Sequence, residues 1–186
     1  MTEDSSVKEI AWRLLERKVL LENQWVTVEC NRYATPDLES VPDYLVVRRR
    51  PFVVIVAEDD GCVLFIRQYR PATNKIYLCL PAGFCADQEA PTLAGQRELH
   101  EETGYVGRSF RQLGVLDPLP GYVSSPAHIL HCQLGRRGEH LDPDKESLEV
   151  LLVPWSQILR EIMDGGIDEM QAVAALLLAY TRGAQS

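Results

Sequence analysis

The chain has 186 residues, of which 46% are hydrophobic and 25% are charged, a composition that is ordinary for a globular protein. Its formal net charge of −8 would repel a long polyanion such as DNA, so nucleic acid is not expected as a partner. No apolar run approaches the ~20 residues that cross a bilayer, and the N-terminus is polar, so we expect a cytoplasmic protein without a membrane partner. The five cysteines include no Cys-x-x-Cys pair and are expected to be free thiols.

The order of the predicted elements, with strands in the first half and helices between and after the later strands, indicates an α+β fold. Apolar and polar residues alternate in places between 12 and 33, which predicts two antiparallel strands that turn near Glu22-Asn23. Asp59-Asp60-Gly61 is a strong hairpin signal between two apolar runs. Pro91 suits the first turn of a helix, and Gly104 suits its C-terminal end. Further strands are predicted at 44–47, 52–57, 62–68, 76–80, 110–116, 127–134 and 148–153, and helices at 90–103, 155–164 and 168–181.

The segment from Gly83 to Tyr105, GFCADQEAPTLAGQRELHEETGY, holds the most informative pattern of charged residues. On the predicted helix, Glu98 and Glu102 are i, i+4 neighbours, and Glu101 follows Glu98 by three positions. All three carboxylates therefore project within one sector of about 100°. Carboxylates this close repel one another, which raises their pKa values and destabilises the helix unless another group compensates.

A divalent cation would relieve this repulsion. Mg²⁺ or Mn²⁺ prefers oxygen ligands, accepts carboxylates together with substrate phosphate oxygens, and lowers the pKa of a bound water. Arg97 can pair with Glu89 and fix the loop to the helix, and Gly83 lets backbone approach the metal site. An isolated Arg-Glu-x-x-Glu-Glu is more often a solvated helix face. Here the same spaced pattern includes Gly83, Glu89, Arg97, Glu98, Glu101, Glu102 and Gly104 together.

This segment resembles the Nudix box, G-x5-E-x7-R-E-U-x-E-E-x-G-U, in which U is a bulky apolar residue; Leu99 fits the first U, and Tyr105 is a tolerable second. The resemblance implies an α/β/α sandwich on a mixed sheet and divalent-metal hydrolysis of a nucleoside diphosphate linked to another group. It implies that the metal ligands are Glu98, Glu101, Glu102 and the backbone carbonyl of Ala82. It also implies a catalytic part for Glu102 and Arg97, and a structural part for Gly83, Glu89 and Gly104.

Outside the box, the chain is most similar to the ADP-ribose and nucleotide-sugar pyrophosphatase branch of that family. Arg67-Gln68-Tyr69-Arg70 resembles the RQYR of that branch, and Leu80-Pro81-Ala82-Gly83 resembles its LPAG. Pro120 follows Gly104 by sixteen residues, where these enzymes commonly have a proline. The predicted N-terminal strands resemble the extension through which such enzymes form dimers. We therefore expect a strand extension at 1–48 that forms a homodimer, and a hydrolase domain at 49–186.

The candidates for substrate binding are Arg50, Arg67, Arg70, Pro120 and Gly121. An arginine at a strand end suits recognition of a phosphate or stacking on a base, although Arg70 could equally be a surface arginine. Likewise, Pro120-Gly121 could be a simple turn.

The catalytic base in this branch tends to be a glutamate on a loop before a late strand. Glu146 fits that position, with Glu149 and Glu139 as alternatives, and each could instead be a solvated loop carboxylate. His100 lies between the motif glutamates but should point off their face, so it is expected to be structural.

The expected reaction is hydrolysis of ADP-ribose or a related nucleoside diphosphate sugar to a nucleoside monophosphate and a sugar phosphate, with Mg²⁺ or Mn²⁺. The alternatives are another substrate (GDP-mannose, a dinucleotide coenzyme or a nucleoside triphosphate) and a non-catalytic ADP-ribose sensor.

Two departures from the residues usual in this branch affect the prediction of which sugar the substrate contains. Cys79 stands where a glutamate is often found, and the stretch with Ser124 and Ser125 lacks the glutamate that commonly follows the Pro-Gly. In addition, Gly95 replaces a usual alanine at a cost of about 1 kcal/mol in helix propensity, which close packing against a strand would explain.

Overall fold

The computed structural model describes residues 11–38, 40–138 and 147–183 of the chain. They form two compact units, one within Met1–Arg50 and Asp117–Ser125, the other within Pro51–Leu116 and Pro126–Ser186. The strands are β1 (Arg13–Glu22), β2 (Thr27–Ala34), β3 (Val41–Arg48), β4 (Phe52–Asp59), β5 (Cys62–Arg70), β6 (Lys75–Cys79), β7 (Ala82–Phe84), β8 (Tyr105–Leu116), β9 (Val123–Ser124), β10 (Ala127–Arg137) and β11 (Ser147–Pro154). The helices are α1 (Pro91–Thr103), α2 (Trp155–Met163) and α3 (Met170–Thr181).

The first unit is built on a four-stranded sheet in the order β1-β2-β3-β9. β1 and β2 form the antiparallel hairpin that the alternating pattern predicts. Asn23 closes its turn, because its Oδ1 accepts the backbone N–H of Trp25 at 2.8 Å and of Val26 at 3.0 Å. Every residue of β1 is exposed in the described chain, so this edge strand buries neither of its faces.

The second unit is built on a seven-stranded mixed sheet. The order is β11-β5-β4-β10-β8, with β6 paired to β5 and β7 paired to β4. β4 and β10 run parallel, and the other pairs of this sheet are antiparallel. β4 is central, and its residues from Phe52 to Glu58 are all buried, as expected of a strand that is covered on both faces.

Alternate side chains of β4 point to opposite faces of the sheet and enter two separate cores. Val54 packs in the core that contains Leu176 of α3. Val53 packs in the core that contains Leu99 of α1. Helices therefore cover both faces of the mixed sheet, which confirms the predicted α+β class and α/β/α sandwich. No helix of the described residues is long and apolar enough to cross a membrane.

The observed elements follow the predicted order, but β8 is longer than predicted. It begins at Tyr105, directly after α1, whereas the apolar pattern predicts a strand only from about residue 110. The whole strand pairs with β10, from Tyr105 opposite Arg137 to Leu116 opposite Ala127. Tertiary pairing therefore extends the strand into a mostly exposed, polar stretch that the sequence pattern does not indicate.

Candidate active site

Helix α1 carries Arg97 and the three predicted glutamate ligands of the box, and local sequence sets its ends. Pro91 occupies the first position of the helix. Gly104 ends it with a left-handed φ of 74°, and its N–H donates to the carbonyl of His100 at 2.8 Å. A Cβ on Gly95 would lie 2.5 Å from Cδ1 of Leu130 on β10. The helix therefore packs directly on the strand at this point, which accounts for the glycine.

Arg97 gathers carboxylates of the box around its guanidinium group. Its Nη1 donates to Oε1 of Glu98 at 2.6 Å and to Oε2 of Glu101 at 3.0 Å. Its Nε and Nη2 donate to the two oxygens of Glu89 at 3.1 and 3.0 Å, and Nη2 also donates to the carbonyl of Phe84 at 2.9 Å. The pairing of Arg97 with Glu89 therefore ties α1 to the strand and loop that precede it.

Burial and Arg97 shift the pKa values of these carboxyls in opposite directions. The hydrogen bond from Arg97 lowers the pKa of Glu89, and the backbone N–H of Ala86 adds to this effect. Burial raises the pKa of Glu98 despite Arg97, and the charges of Glu101 and Glu89 raise it further. The pKa of Arg97 is raised in turn, mainly by its hydrogen bonds to Glu89. A cation beside Glu98 would stabilise a buried negative charge that is otherwise unfavourable.

The strand before α1 brings backbone against two of the box carboxylates. Oε2 of Glu102 accepts the backbone N–H of Ala82 at 3.0 Å. At Gly83, an added Cβ would lie 2.0 to 2.3 Å from the carboxyl atoms of Glu98, far inside contact distance. Only glycine leaves room for that carboxylate, so β7 and the C-terminal half of α1 together form one site.

The chemistry of this donor set suits a hard divalent cation, since Glu98, Glu101 and Glu102 supply carboxylate oxygens only. Among the residues that the structure describes, no three Asp, Glu, His or Cys side chains converge as a group that could hold a metal ion. The reason lies in their present partners. Glu98 and Glu101 turn to Arg97, and Glu102 turns to the N–H of Ala82. Cation binding therefore requires these carboxylates to exchange partners.

The two arginines of β5 that the sequence singles out have different surroundings. Nε of Arg67 lies 3.3 Å from Oε2 of Glu149 on β11, and about half of each side chain is exposed. Arg70, the last residue of β5, is half-buried. Burial raises the pKa of the Cys79 thiol on β6 to about 11, and the charge of Arg70 opposes this rise.

The remaining predicted substrate residues belong to the first unit. The carbonyl of Arg50 accepts the hydroxyl of Ser125 at 2.9 Å. Pro120 and Gly121 form the turn before β9, where the hydroxyl of Tyr44 donates to the carbonyl of Gly121. Arg50, Pro120 and Gly121 are therefore assigned to one unit and the box to the other.

The sequence leaves three candidates for the catalytic base, and two of them, Glu146 and Glu139, lie outside the described residues. Glu149 is the candidate that pairs with Arg67. A further carboxylate, which the sequence does not single out, is Glu169 at the start of α3. Its Oε2 accepts the backbone N–H of Ala172 at 2.9 Å. Burial raises the pKa of Glu169, and the hydrogen bond from Ala172 and the charge of Arg70 oppose this rise. No local spacing in the sequence indicates that this carboxylate is partly buried.

A second group without a signal in the sequence is a buried polar network at the end of β4. The carboxylate of Glu58 accepts hydrogen bonds from Nε1 of Trp155 at 2.8 Å and Nε2 of Gln133 at 3.1 Å, and lies 2.8 Å from Nε2 of His131. Nε of Arg111 donates to Nδ1 of the same histidine at 3.3 Å. Nε2 therefore carries the imidazole proton and donates it to the carboxylate. The network fixes the start of α2 to the sheet.

Comparison of the sequence with known protein families identifies the class of protein to which this fold and site belong. The family described as NUDIX domain matches residues 47–172 of this chain, a range that includes the whole box. The chain therefore belongs to the Nudix domain family, as its sequence predicts.

Relatives of known name match over almost the whole chain. An ADP-sugar pyrophosphatase of Mus musculus is 26% identical over 191 residues, which cover 97% of this chain and 84% of the relative. A GDP-mannose pyrophosphatase of Klebsiella pneumoniae subsp. pneumoniae is 29% identical, over 93% of each chain. The crystal structure of an ADP compounds hydrolase matches with a TM-score of 0.78 over 91% of this chain and 92% of the other, at 24% identity. At that identity the solved structure supports the fold alone.

Proposed function

We propose that this chain hydrolyses the pyrophosphate bond of ADP-ribose or a related nucleoside diphosphate sugar, releasing a nucleoside monophosphate and a sugar phosphate. The observation that carries this proposal is the arrangement of Glu98, Glu101 and Glu102 on α1, next to Arg97 and the backbone of Gly83. The relatives support it, since both are named as pyrophosphatases, one of ADP-sugars and one of GDP-mannose. Their names and the family agree with the predicted enzyme class, a hydrolase of pyrophosphate bonds.

Glu98, Glu101 and Glu102 would hold Mg²⁺ or Mn²⁺, with the carbonyl of Ala82 as a backbone ligand. When bound, the cation would neutralise charge on the pyrophosphate and lower the pKa of the attacking water. Attack by water on one phosphorus breaks its bond to the bridging oxygen, which leaves with the other phosphate. Arg97 orients the glutamates of this site. The chain itself is acidic, so without the cation these carboxylates would repel an anionic substrate.

A base must take the proton of the attacking water, and we propose Glu146, which precedes β11 in the sequence. Glu149 is a weaker choice, because its carboxylate is paired with Arg67. Glu146→Gln is expected to lower kcat by roughly 10²- to 10⁴-fold. Glu149→Gln is the matched control and is expected to keep most of the turnover. The reverse result would assign the base to Glu149, and two active variants would move it to Glu139.

We propose that substrate binding uses Arg67 and Arg70 of β5, with Arg50, Pro120 and Gly121. A guanidinium group binds phosphate oxygens through two parallel N–H donors, so the arginines suit a pyrophosphate. Arg70 is the strongest candidate because it ends β5 and its side chain is half-buried.

We further propose that residues 1–48 form an extension through which two copies pair. Exposed apolar side chains lie on and beside β1: Trp12, Leu14, Leu15, Val19, Leu20 and Leu21. Such a row on an edge strand is typical of an interface. Light scattering after size-exclusion chromatography is expected to give twice the 21.0 kDa chain mass, and Leu20→Glu is expected to reduce it to a single chain. A wild-type monomer would contradict the proposal.

Chromatography of reaction products tests the proposed function. The panel is ADP-ribose, GDP-mannose, UDP-glucose, NADH and a nucleoside triphosphate, each with Mg²⁺ and with chelator. Metal-dependent conversion of ADP-ribose to AMP and ribose 5-phosphate is expected. Preferential cleavage of GDP-mannose would support the enzyme class but identify a different substrate. Binding without cleavage would show that the protein is a ligand sensor and not a hydrolase. The five free thiols agree with the reducing cytoplasm that we propose as its location.

A further inference from the structure

The turn that contains Pro120 and Gly121 is attached to β3 by backbone hydrogen bonds of the residues around it. The N–H of Val47 on β3 donates to the carbonyl of Tyr122 at 2.7 Å. Within the turn, the N–H of Tyr122 donates to the carbonyl of Leu119 at 3.2 Å. All of these residues belong to the first unit. The backbone on both sides of Pro120-Gly121 is therefore held in place by hydrogen bonds of the same unit.

The carbonyl of Gly121 itself is held by a side chain. The hydroxyl of Tyr44 on β3 donates a hydrogen bond to it, across 77 positions of the sequence. The Tyr44 ring is held in turn by two aromatic neighbours, since its centroid lies 5.6 Å from that of Trp12 and 5.5 Å from that of Tyr33. Both pairs are close to edge-to-face, which is a favourable arrangement of aromatic rings. The hydroxyl therefore reaches the turn from a ring that is fixed on the sheet.

The fold of the described residues does not explain why residue 121 is a glycine. The other glycines within 11–38, 40–138 and 147–183 either have a positive φ or have another group within 4 Å of an added Cβ. Gly121 has neither feature, because its φ lies outside the left-handed region and its added Cβ meets nothing within 4 Å. This face of the turn is exposed to solvent. A glycine in such a place lets another molecule approach the backbone closely.

We propose that Tyr44 is a positioning residue: its hydroxyl holds the Gly121 carbonyl and thereby fixes the exposed face of the Pro120-Gly121 turn for contact with the nucleotide sugar. This inference rests on the proposed function, which includes the turn among the residues that bind the substrate. A turn that is already ordered loses little conformational entropy when the substrate binds, whereas a loose turn must be ordered at the expense of affinity. In this role Tyr44 acts through the turn.

Tyr44→Phe tests the proposal, because it removes the hydroxyl and keeps the ring between its aromatic neighbours. We expect KM for ADP-ribose to rise roughly fivefold, the factor for loss of one ordinary hydrogen bond, and kcat to stay within about twofold of the wild type. Hydrogen exchange followed by mass spectrometry should be faster in peptides from Asp117–Ser125. Tyr33→Phe is the matched control, because the Tyr33 hydroxyl accepts Nδ2 of Asn31 at 3.3 Å instead. KM and exchange should both stay near the wild-type values in this control.

Gly121→Ala tests whether the substrate approaches the exposed face of the turn. Its Cβ meets nothing within 4 Å, so the urea midpoint and the exchange rates should match those of the wild type. KM should nevertheless rise several-fold, because the added methyl group occupies the surface that the substrate contacts. In this background Tyr44→Phe should have a smaller effect on KM, since the turn no longer makes the contact that the hydroxyl positions.

The dissociation constant of ADP-ribose with Mg²⁺, measured by calorimetry on the same proteins, separates this inference from the proposed function. If the wild type binds but does not cleave, the proposed function has failed, and weaker binding by Tyr44→Phe and Gly121→Ala still supports the positioning role. Faster exchange with unchanged KM and affinity in Tyr44→Phe would overturn it, because the hydroxyl would then serve the fold alone. Unchanged affinity in Gly121→Ala together with a fall from a dimer to a single chain in light scattering would also overturn it, because the turn would then contact a second copy.

Discussion

Gly83→Ala is the sharpest test of the site, because the structure separates its effect on activity from its effect on stability. The added Cβ would lie 2.0 to 2.3 Å from the carboxyl atoms of Glu98. Carbon atoms in contact prefer about 3.5 Å, so the carboxylate must move by at least about 1 Å. A misplacement of about 1 Å near a reacting centre costs on the order of 10²-fold in rate. We therefore expect kcat/KM to fall on the order of 10²-fold.

The stability of Gly83→Ala should change little. The clashing atoms are the mobile end of a side chain, and the φ of Gly83 lies outside the left-handed region, so alanine can adopt its backbone conformation. Alanine also lowers the entropy of the unfolded chain, which stabilises by about 0.4–1 kcal/mol and offsets a weakened contact between Glu98 and Arg97. The free energy of unfolding, from urea titration, should stay within about 1 kcal/mol of the wild type.

Gly95→Ala is the matched control on the same helix. Its Cβ would lie 2.5 Å from Leu130 in a packed core, so it should destabilise by about 1–3 kcal/mol and leave the carboxylates in place. Gly83→Ala should therefore lose activity and keep its stability, whereas Gly95→Ala should lose stability and keep its activity. Wild-type kcat/KM in Gly83→Ala would refute the reasoning, because the position of Glu98 would then not matter. Unfolding of Gly83→Ala would refute it differently, because the carboxylate could not have moved aside.

Three other substitutions test separate parts of the site and fold. Arg97→Lys keeps the charge but loses the fork of donors, and should lower the free energy of unfolding by about 1–2 kcal/mol after allowance for solvent screening; an unchanged urea midpoint would contradict this. Glu102→Gln still accepts the N–H of Ala82, so it should fold as the wild type but lose on the order of 10²- to 10³-fold in kcat; full turnover would remove Glu102 from the site. Trp155→Phe removes a donor to buried Glu58 and should cost about 1–3 kcal/mol in stability without changing KM; a changed KM would link that network to the site.

The parts of the fold that the sequence predicts are those specified by residues close together in the chain. The box helix follows from Pro91, Gly104 and the spacing of its glutamates, and the hairpin follows from Asp60-Gly61, whose φ angles of 45° and 72° suit a two-residue turn. The ion pair between Asp168, just before α3, and Lys75 on β6 could not be predicted in the same way. It depends on how α3 packs on the sheet, and a single acidic residue before an apolar helix resembles any solvated residue. The same holds for Glu58, whose partner Trp155 lies on another element.

The N–H donors of the Arg97 guanidinium contact two separate sets of acceptors. This arrangement explains how the arginine can stay in place when a cation binds to the box glutamates. Nη1 faces Glu98 and Glu101, whereas Nε and Nη2 face Glu89 and the carbonyl of Phe84. A cation that takes the first pair would break only the Nη1 contacts, while the others keep the arginine in place. Glu89→Gln weakens that anchor, so Arg97 should remain with Glu98 and Glu101 and compete with the cation. The Mg²⁺ concentration for half-maximal activity should rise several-fold, and an unchanged Mg²⁺ titration would show that Glu89 does not serve as this anchor.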